Sequence, residues 1–149
     1  MIAIGSDHGG YELKERIKRH LTARGLEYRD FGCDSTDSCD YPIYGDAVAE
    51  AVADGSCDRG IVICLTGIGI SITANKKKGI RCALCRDTLS AELTRRHNNA
   101  NVLALGAGFT GPLLAEQITE IFLNTPFDGG RHARRVDQIS ALEAARQSP

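Results

Sequence analysis

Short β-branched segments alternate with amphipathic helical segments along the chain, and this alternation constrains the fold more than any other feature. The helical segments repeat apolar side chains every fourth residue, as in Leu13, Ile17 and Leu21. The predicted strands cover residues 1–5, 27–31, 60–64, 80–85 and 102–105. The predicted helices end near residue 25, cover 43–54, 71–78 and 88–96, follow a cap at Thr110, and cover 131–147. Strands joined through helices predict an α/β fold, a three-layer α/β/α sandwich with a five-stranded parallel Rossmann-like sheet.

Size and charge limit the classes of function. The 149 residues suit a single domain, 1–149, with a substantial core. The 18 Lys and Arg residues against 19 Asp and Glu leave no overall field that attracts nucleic acid or an anionic membrane. The first residues lack the basic and long apolar regions of a signal peptide, and no uncharged run reaches the roughly 20 residues of a membrane span. We therefore expect a cytoplasmic protein that binds neither nucleic acid nor membrane.

The cysteines are expected to be reduced thiols, as in other cytoplasmic chains of this size. Cys82 and Cys85 form a C-x-x-C pair, but they fall in a predicted strand, where residues three apart point to opposite faces. A zinc site or a redox pair at these two thiols is therefore not expected.

The stretch 60–71 predicts a buried strand that runs into a glycine-punctuated loop and a helix. Cys64 falls at the carboxyl end of that strand, where open α/β sheets bind ligands because helix amino termini offer unpaired N–H groups. Gly67 and Gly69 let these amides approach a ligand, so the pattern predicts a thiol beside an anion-stabilising loop. The spacing fits neither a P-loop nor a dinucleotide fingerprint. The residues alone leave open that Cys64 is a small buried apolar side chain beside a simple turn.

Polar groups also follow other predicted strands and helices. Residues 6–10 and 106–108 are glycine-rich loops at strand ends. His97 ends a helix, and we expect it beside the strand-end loops. Arg131 and Arg135 stand four apart and so project together from the first turn of the last helix, a pattern that a solvated helix surface also shows.

Two further expectations concern the helices. The last predicted helix repeats Val136, Ile139 and Leu142 at helical spacing, which predicts that these residues form its buried face. Gly79 is expected to end the helix 71–78 in a left-handed conformation.

Several spaced motifs point to one family when they are taken together. In chain order they are Gly5 to Gly10, Asp40-Tyr41-Pro42, Cys64 to Ser71 with Ala74-Asn75-Lys76, His97-Asn98, Asn101 to Ala104, and Gly129 to His132 with Arg135-Val136. On these motifs nearly the whole chain resembles the type B ribose-5-phosphate isomerases, whose family also holds the allose-6-phosphate and galactose-6-phosphate isomerases. The resemblance favours a functional role for Cys64 and His97.

The resemblance implies an aldose-ketose isomerase that interconverts D-ribose 5-phosphate and D-ribulose 5-phosphate through a cis-enediolate. Cys64 would carry the proton between C2 and C1 as base and acid. The amides of 65–71 would hold the enediolate oxygen, and His97 would open the sugar ring. The resemblance implies no metal and no cofactor.

The resemblance also implies the binding residues and a homodimer. Thr66 would join Cys64 and His97 in the catalytic set. Arg131 and Arg135 would reach the phosphate from the partner subunit, so the helix of about 131–147 would contribute to the partner's site in a homodimer or a dimer of dimers. The implied substrate-binding residues are Asp7, His8, Tyr41, Leu65, Gly67, Gly69, Ser71, Asn98, Arg131, His132 and Arg135.

Two positions depart from the family's pattern and leave the substrate open. Leu65 stands where most relatives have glycine, and Gly108 stands where many ribose-phosphate enzymes have an arginine that helps to hold the phosphate. Loss of one charge-assisted contact costs about 1.5 to 3 kcal/mol of binding. The alternatives are an isomerase of another sugar phosphate, such as allose or galactose 6-phosphate or a tetrose phosphate, an isomerase of a free sugar, and a non-catalytic sugar-phosphate-binding module.

Overall fold

The protein is built on one parallel β-sheet, which confirms the predicted architecture. The computed structural model describes residues 1–147. The strands are β1 (Ile2–Ser6), β2 (Tyr28–Asp30), β3 (Arg59–Cys64), β4 (Cys82–Leu84) and β5 (Val102–Gly106). They lie in the order β2-β1-β3-β5-β4, and every neighbouring pair is parallel.

Helices cover both faces of this sheet and complete three layers. They are α1 (Tyr11–Ala23), α2 (Tyr41–Ala53), α3 (Ile68–Ala74), α4 (Thr88–Asn98), α5 (Pro112–Asn124) and α6 (Arg131–Gln147). Side chains of α1, α4 and α5 pack in one apolar cluster, those of α2 and α3 pack in the other, and α6 contacts α4. None of these helices, within residues 1–147, is both long and apolar enough to cross a membrane.

The central strand β3 is buried on both faces because its apolar run serves both clusters. Ile61 and Ile63 pack towards α1, α4 and α5, whereas Val62 and Cys64 pack towards α2 and α3. This alternation follows from the two-residue period of a strand. Cys64 is therefore the last buried residue of β3, on the α2 and α3 side.

The strand order reverses between β1 and β3, and this reversal opens a crevice at their carboxyl ends. The connection from β1 to β2 passes through α1 on one face, and the connection from β3 to β4 passes through α3 on the other. The loops after the two strands therefore diverge. Such a switch point is where open α/β sheets bind their ligands.

The helix after β3 begins and ends earlier than the sequence predicts. It covers Ile68–Ala74, so the prediction of a helix at 71–78 ended by Gly79 was wrong. Asn75 closes the helix instead, because its side chain bonds both to Ser71 O (3.1 Å) and to the backbone of Cys82 (2.8 and 2.9 Å). Gly79 has a positive φ of 81°, but it lies in the following turn.

The last helix has the predicted bounds but not the predicted buried face. Val136 is buried, whereas Ile139 and Leu142 are 49% and 57% exposed. The helical repeat correctly marks an apolar stripe, but within one chain only its first member reaches another element.

The six cysteines are free thiols. Cys82 packs with the α2 and α3 cluster and Cys85 with the opposite one, which confirms that the C-x-x-C pair points to opposite faces. Burial raises the pKa of the Cys82 thiol, and it raises that of Cys85 to about 11. Both therefore remain protonated near neutral pH.

Candidate functional site

The loop after β3 holds the Cys64 thiol against backbone amides. The thiol is almost fully buried, and Gly67 N donates a hydrogen bond to Cys64 Sγ at 3.1 Å. Gly67 has a φ of 75°, and a Cβ there would lie 2.5 Å from Leu84 Cδ1 and 2.8 Å from the Leu105 carbonyl carbon. Only glycine fits this position, so the loop geometry that brings an amide to the thiol is fixed by steric contact.

The start of α3 adds further donors beside the thiol. Thr66 Oγ1 accepts a hydrogen bond from Ile68 N at 3.1 Å, so the threonine caps the helix. The remaining first-turn amides have no acceptor within the helix. Ser71 differs from the sequence expectation because its hydroxyl donates to Ile68 O at 2.7 Å and its amide donates to Gly67 O at 3.2 Å. Its polar groups are thus engaged within the helix.

Tyr41 packs directly on this loop. It is the first residue of α2, two residues earlier than the predicted helix start. A Cβ on Gly69 would lie 2.6 Å from Tyr41 Cζ and 2.9 Å from its hydroxyl oxygen. The second glycine of the loop is therefore needed for the tyrosine to reach the thiol side of the crevice.

The loop after β1 forms the opposite wall of the crevice. Asp7 is 6% exposed and caps the short 3₁₀ turn His8–Gly10 through a bond from Gly10 N to Asp7 Oδ1 (3.0 Å). A Cβ on Gly9 would lie 3.2 Å from Leu65 Cβ, so the loops after β1 and β3 are in contact. We call the residues of these two loops and Tyr41 the thiol cleft: Asp7, His8, Tyr41, Cys64, Leu65, Thr66, Gly67, Gly69 and Ser71.

Leu65 fills the space next to Gly108. Gly108 N donates to Leu65 O at 2.8 Å, and a Cβ on Gly108 would lie 3.0 Å from Leu65 Cδ1. The leucine side chain is nevertheless 59% exposed. The two departures from the family's pattern are therefore neighbours, and each conditions the space available to the other.

A cavity of about 540 Å³ next to the thiol cleft contains polar groups that the sequence did not single out. It is lined by His8 and Leu65 together with Arg16 of α1 and Thr110. Arg16 Nε donates to Glu116 at 2.5 Å, and Thr110 Oγ1 is buried with no hydrogen-bond partner among residues 1–147. Arg16 was missed because it stands among charged residues that suit a solvated helix face.

Thr110 does not have the predicted role of helix cap. The N-cap of α5 is Gly111, which makes no side-chain cap, and Pro112 follows in the first turn. The threonine hydroxyl therefore stays unused by the helix, which explains its lack of a partner.

The remaining predicted residues lie at the opposite edge of the sheet. A helix that follows a parallel strand runs back to the amino edge, so α4 begins near the carboxyl ends and ends far from them. Asn98 O accepts a bond from Arg81 Nε at 3.0 Å, and Arg81 directly precedes β4. The prediction that His97 lies beside the strand-end loops was wrong, because α4, at 1.5 Å per residue, carries it roughly 15 Å away from Cys64.

At this edge two imidazole rings are stacked. The rings of His97 and His132 lie 4.3 Å apart between centroids with an angle of 10°. Burial and the nearby charges of His97, Arg131 and Arg135 lower the pKa of His132. We call these residues and Asn98 the basic edge: His97, Asn98, Arg131, His132 and Arg135.

Asp128 brings a third potential metal ligand to the histidine pair. One ligand atom from each of His97, Asp128 and His132 lies within 4.8 Å of the others. However, a metal lies in the plane of each imidazole that binds it, and one ion cannot lie in two parallel stacked planes. The carboxylate instead pairs with Arg96, whose Nε lies 3.2 Å from Asp128 Oδ2. The arrangement therefore fits ring stacking better than metal binding.

Comparison with known proteins gives one consistent result. A family profile described as Ribose/Galactose Isomerase matches residues 2–139. The chain is 49% identical to ribose-5-phosphate isomerase B of Escherichia coli over 97% of each chain. It is 45% identical to D-erythrulose-4-phosphate isomerase of Pectobacterium atrosepticum, over 95% of this chain and 94% of the relative. The structure of ribose-5-phosphate isomerase B of Clostridium thermocellum superposes with a TM-score of 0.97 at 53% identity, over 98% of this chain and 99% of the other.

Proposed function

The chain belongs to the ribose/galactose isomerase family and is a sugar-phosphate isomerase, and we propose that it interconverts D-ribose 5-phosphate and D-ribulose 5-phosphate. The observation that carries this proposal is the Cys64 thiol, buried at the switch point of the sheet with the amide of Gly67 on its sulfur. High identity over almost the whole chain to a ribose-5-phosphate isomerase B supports the same substrate.

In this proposal Cys64 is the base that moves the proton. Its thiolate removes the proton from C2 of the open-chain aldose, and the electrons form the cis-enediolate as the C1 carbonyl oxygen becomes negative. The thiol then returns the proton to C1, which gives the ketose. The amide of Gly67 stabilises the thiolate before the transfer, and the first-turn amides of α3 stabilise the oxygen on which charge develops.

The rest of the thiol cleft orients the sugar. Asp7 and the hydroxyl of Tyr41 would bond the sugar hydroxyls, because both lie against the loop that carries the thiol. Thr66 would hold the loop in its productive conformation through its cap on Ile68. A base and its substrate must be held within hydrogen-bond reach, so these contacts set the rate as well as the affinity.

Ring opening requires a second copy of the chain. His97 is suited to exchanging the anomeric proton near neutral pH, but within one chain the sheet separates it from Cys64. In a two-fold dimer the basic edge of one subunit would cover the thiol cleft of the other, and two equivalent sites would form. We therefore propose a homodimer in which His97, Asn98, Arg131, His132 and Arg135 act on the substrate bound by the partner.

Phosphate binding combines groups from both subunits. His8 and the arginines of the basic edge are the ligands expected from the family. Arg16 adds a cation to the cavity shared with His8 and Leu65, where the chain lacks an arginine at Gly108. We propose that Arg16 and the unused hydroxyl of Thr110 replace part of that missing contact.

A four-carbon sugar phosphate is the second candidate substrate. Leu65 projects into the cleft beside Gly108, and a smaller cleft favours a shorter sugar. A relative at 45% identity is named as a D-erythrulose-4-phosphate isomerase.

The test is an assay of the purified protein against ribose 5-phosphate, erythrulose 4-phosphate, allose 6-phosphate, galactose 6-phosphate and free ribose. We expect the highest kcat/KM with ribose 5-phosphate and almost no turnover of the free sugar, because its phosphate contacts are absent. A higher kcat/KM with erythrulose 4-phosphate would contradict the proposed substrate and support the second candidate.

A further inference from the structure

Two thiols that the proposed mechanism does not use lie together beside His8. Cys33 and Cys39 flank the loop 34–38, and their thiols hydrogen-bond to each other. Cys33 is buried, whereas Cys39 is half-buried and within reach of solvent. The two thiols are thus paired as a buried and an accessible member.

Backbone contacts hold both cysteines on the segment that follows β1. Cys33 N donates to Ser6 O at 2.7 Å. Cys39 N donates to His8 Nδ1 at 3.2 Å, and Cys39 Sγ lies 3.9 Å from the same nitrogen. Both ends of the loop are therefore anchored within three residues of each other, which fixes the thiols in proximity and favours a bond between them.

We propose that Cys33 and Cys39 are a peroxide-sensitive dithiol whose disulfide weakens phosphate binding at His8. The link to phosphate rests on the proposed function, but formation of the disulfide does not. Nothing in the isomerase reaction requires these thiols, so they are free to report on the oxidation state of the surroundings.

The reaction uses one hydroperoxide. His8 accepts the proton of Cys39, and the thiolate attacks a peroxide oxygen, so the O–O bond breaks, one water leaves and Cys39 becomes a sulfenic acid. Cys33 then attacks the Cys39 sulfur, the S–O bond breaks, and a second water leaves as the S–S bond forms. The two thiols lose two electrons and two protons, and the hydroperoxide is reduced to two waters when it is hydrogen peroxide.

Burial and the neighbouring thiol explain the order of these steps. They raise the pKa of the Cys33 thiol, so Cys33 stays protonated near neutral pH while the accessible Cys39 reacts first. Once the disulfide forms, its bond length of about 2.05 Å draws Cys39 Sγ towards Cys33 and away from His8. The amide that holds the His8 ring moves with it.

The experiment treats reduced protein with hydrogen peroxide, blocks remaining thiols, and maps disulfides by mass spectrometry. We expect a Cys33–Cys39 link that dithiothreitol reverses. The KM for ribose 5-phosphate should rise about 3- to 10-fold, as for the loss of one hydrogen bond, while kcat is retained.

Two variants identify the thiols responsible. Cys39→Ser should form no link and keep its KM after peroxide, whereas Cys57→Ser, which removes a buried thiol near the amino edge, should respond as the wild type does. A rise in KM in Cys39→Ser as large as in wild type would assign the effect to another thiol and overturn the proposal.

The mass and kinetic readouts fail separately. Absence of the link, under peroxide that oxidises other thiols, overturns the dithiol whatever the protein catalyses. A link with unchanged KM for the substrate that the assay panel identifies overturns the coupling to His8. If the panel identifies a sugar other than ribose 5-phosphate, only the proposed substrate fails.

Discussion

The thiol cleft and the basic edge are built in different ways. The thiol cleft consists of strand ends and a helix start, and its shape follows from backbone contacts such as those that exclude a Cβ at Gly67 and Gly69. The basic edge consists of side chains on helix ends, and Arg131 and Arg135 are exposed. One chain can therefore hold the group that moves the proton in its final geometry, whereas the groups proposed to bind phosphate and open the ring still lack an anion or a sugar to contact.

Removal of the thiol should have the largest effect. We expect Cys64→Ala to lower turnover by at least about 10³-fold, because no other group in the thiol cleft can take the C2 proton. Exchange of that proton with deuterated solvent, followed by NMR, should stop as well. The melting temperature should change little, since only a small side chain at a strand end is lost.

Cys57→Ala is the matched control for this change. Cys57 is equally buried but lies near the amino edge of the sheet, so turnover should persist. Proton exchange in Cys64→Ala at the wild-type rate would contradict the role of the thiol as base.

Mixing two inactive variants should restore part of the activity. Cys64→Ala and His97→Asn each damage both sites of their own homodimer, but a mixed dimer has one site with both groups intact. After unfolding and refolding together at equal concentration, half of the dimers are mixed, so activity should recover to about a quarter of wild type. Activity is measured with ribose 5-phosphate against each variant refolded alone.

This experiment directly tests the separation between the two regions. No recovery in a mixture that native mass spectrometry shows to contain mixed dimers would mean that the two groups do not share a site across subunits.

Loss of the added cation should raise KM. We expect Arg16→Gln to increase KM for ribose 5-phosphate about 10-fold, with kcat less affected, because a charge-assisted contact to phosphate is lost. Arg19→Gln, on the exposed face of the same helix, should leave KM unchanged. Equal KM values for both variants would leave the phosphate to the basic edge alone.

The neighbouring positions 65 and 108 should respond only together. Gly108→Arg alone should change KM little, because its Cβ would already lie 3.0 Å from Leu65 Cδ1 and 3.1 Å from Leu65 O. Adding Leu65→Gly opens the space, and KM for ribose 5-phosphate should then fall about threefold. A single Gly108→Arg variant that performs as well as the double variant would show that Leu65 does not restrict the arginine.

The smallest effect concerns acid stability. Since the pKa of His132 is lowered in the folded chain, the unfolded chain binds more protons as the pH falls through about 6.5, and stability decreases there. His132→Gln should lose less melting temperature than wild type between pH 7.5 and 5.5. Parallel melting-temperature curves for the two proteins would show that the stacked pair does not contribute to acid sensitivity.

The fold could be predicted from sequence because its signals are local. Short β-branched runs and four-residue repeats identify strands and helices before any packing is known, and alternation of the two leaves few topologies. The end of α3 was misplaced because Asn75 closes the helix through bonds to β4, which no local pattern reveals.

The candidate site was harder to predict because its parts depend on distance through the fold. Cys64 and the glycines were identified since strand, loop and helix follow one another in sequence. The position of His97 was wrong because the direction of α4, not its proximity to a loop in sequence, decides the edge. Ile139 and Leu142 were expected to be buried because a helical repeat does not say whether the covering surface belongs to the same chain.

The steric limits around the loop after β3 also bear on how this enzyme can evolve. At Gly67, Gly69 and Gly106 an added Cβ would collide with Leu84, Tyr41 and the Thr66 backbone, so mutation at these positions is lost to selection. Leu65 and Gly108 carry no such limit, apart from each other. New sugar preferences can therefore arise by drift at two neighbouring positions while the proton-transfer loop stays unchanged, and lineages of this fold can diversify in substrate without passing through an inactive ancestor.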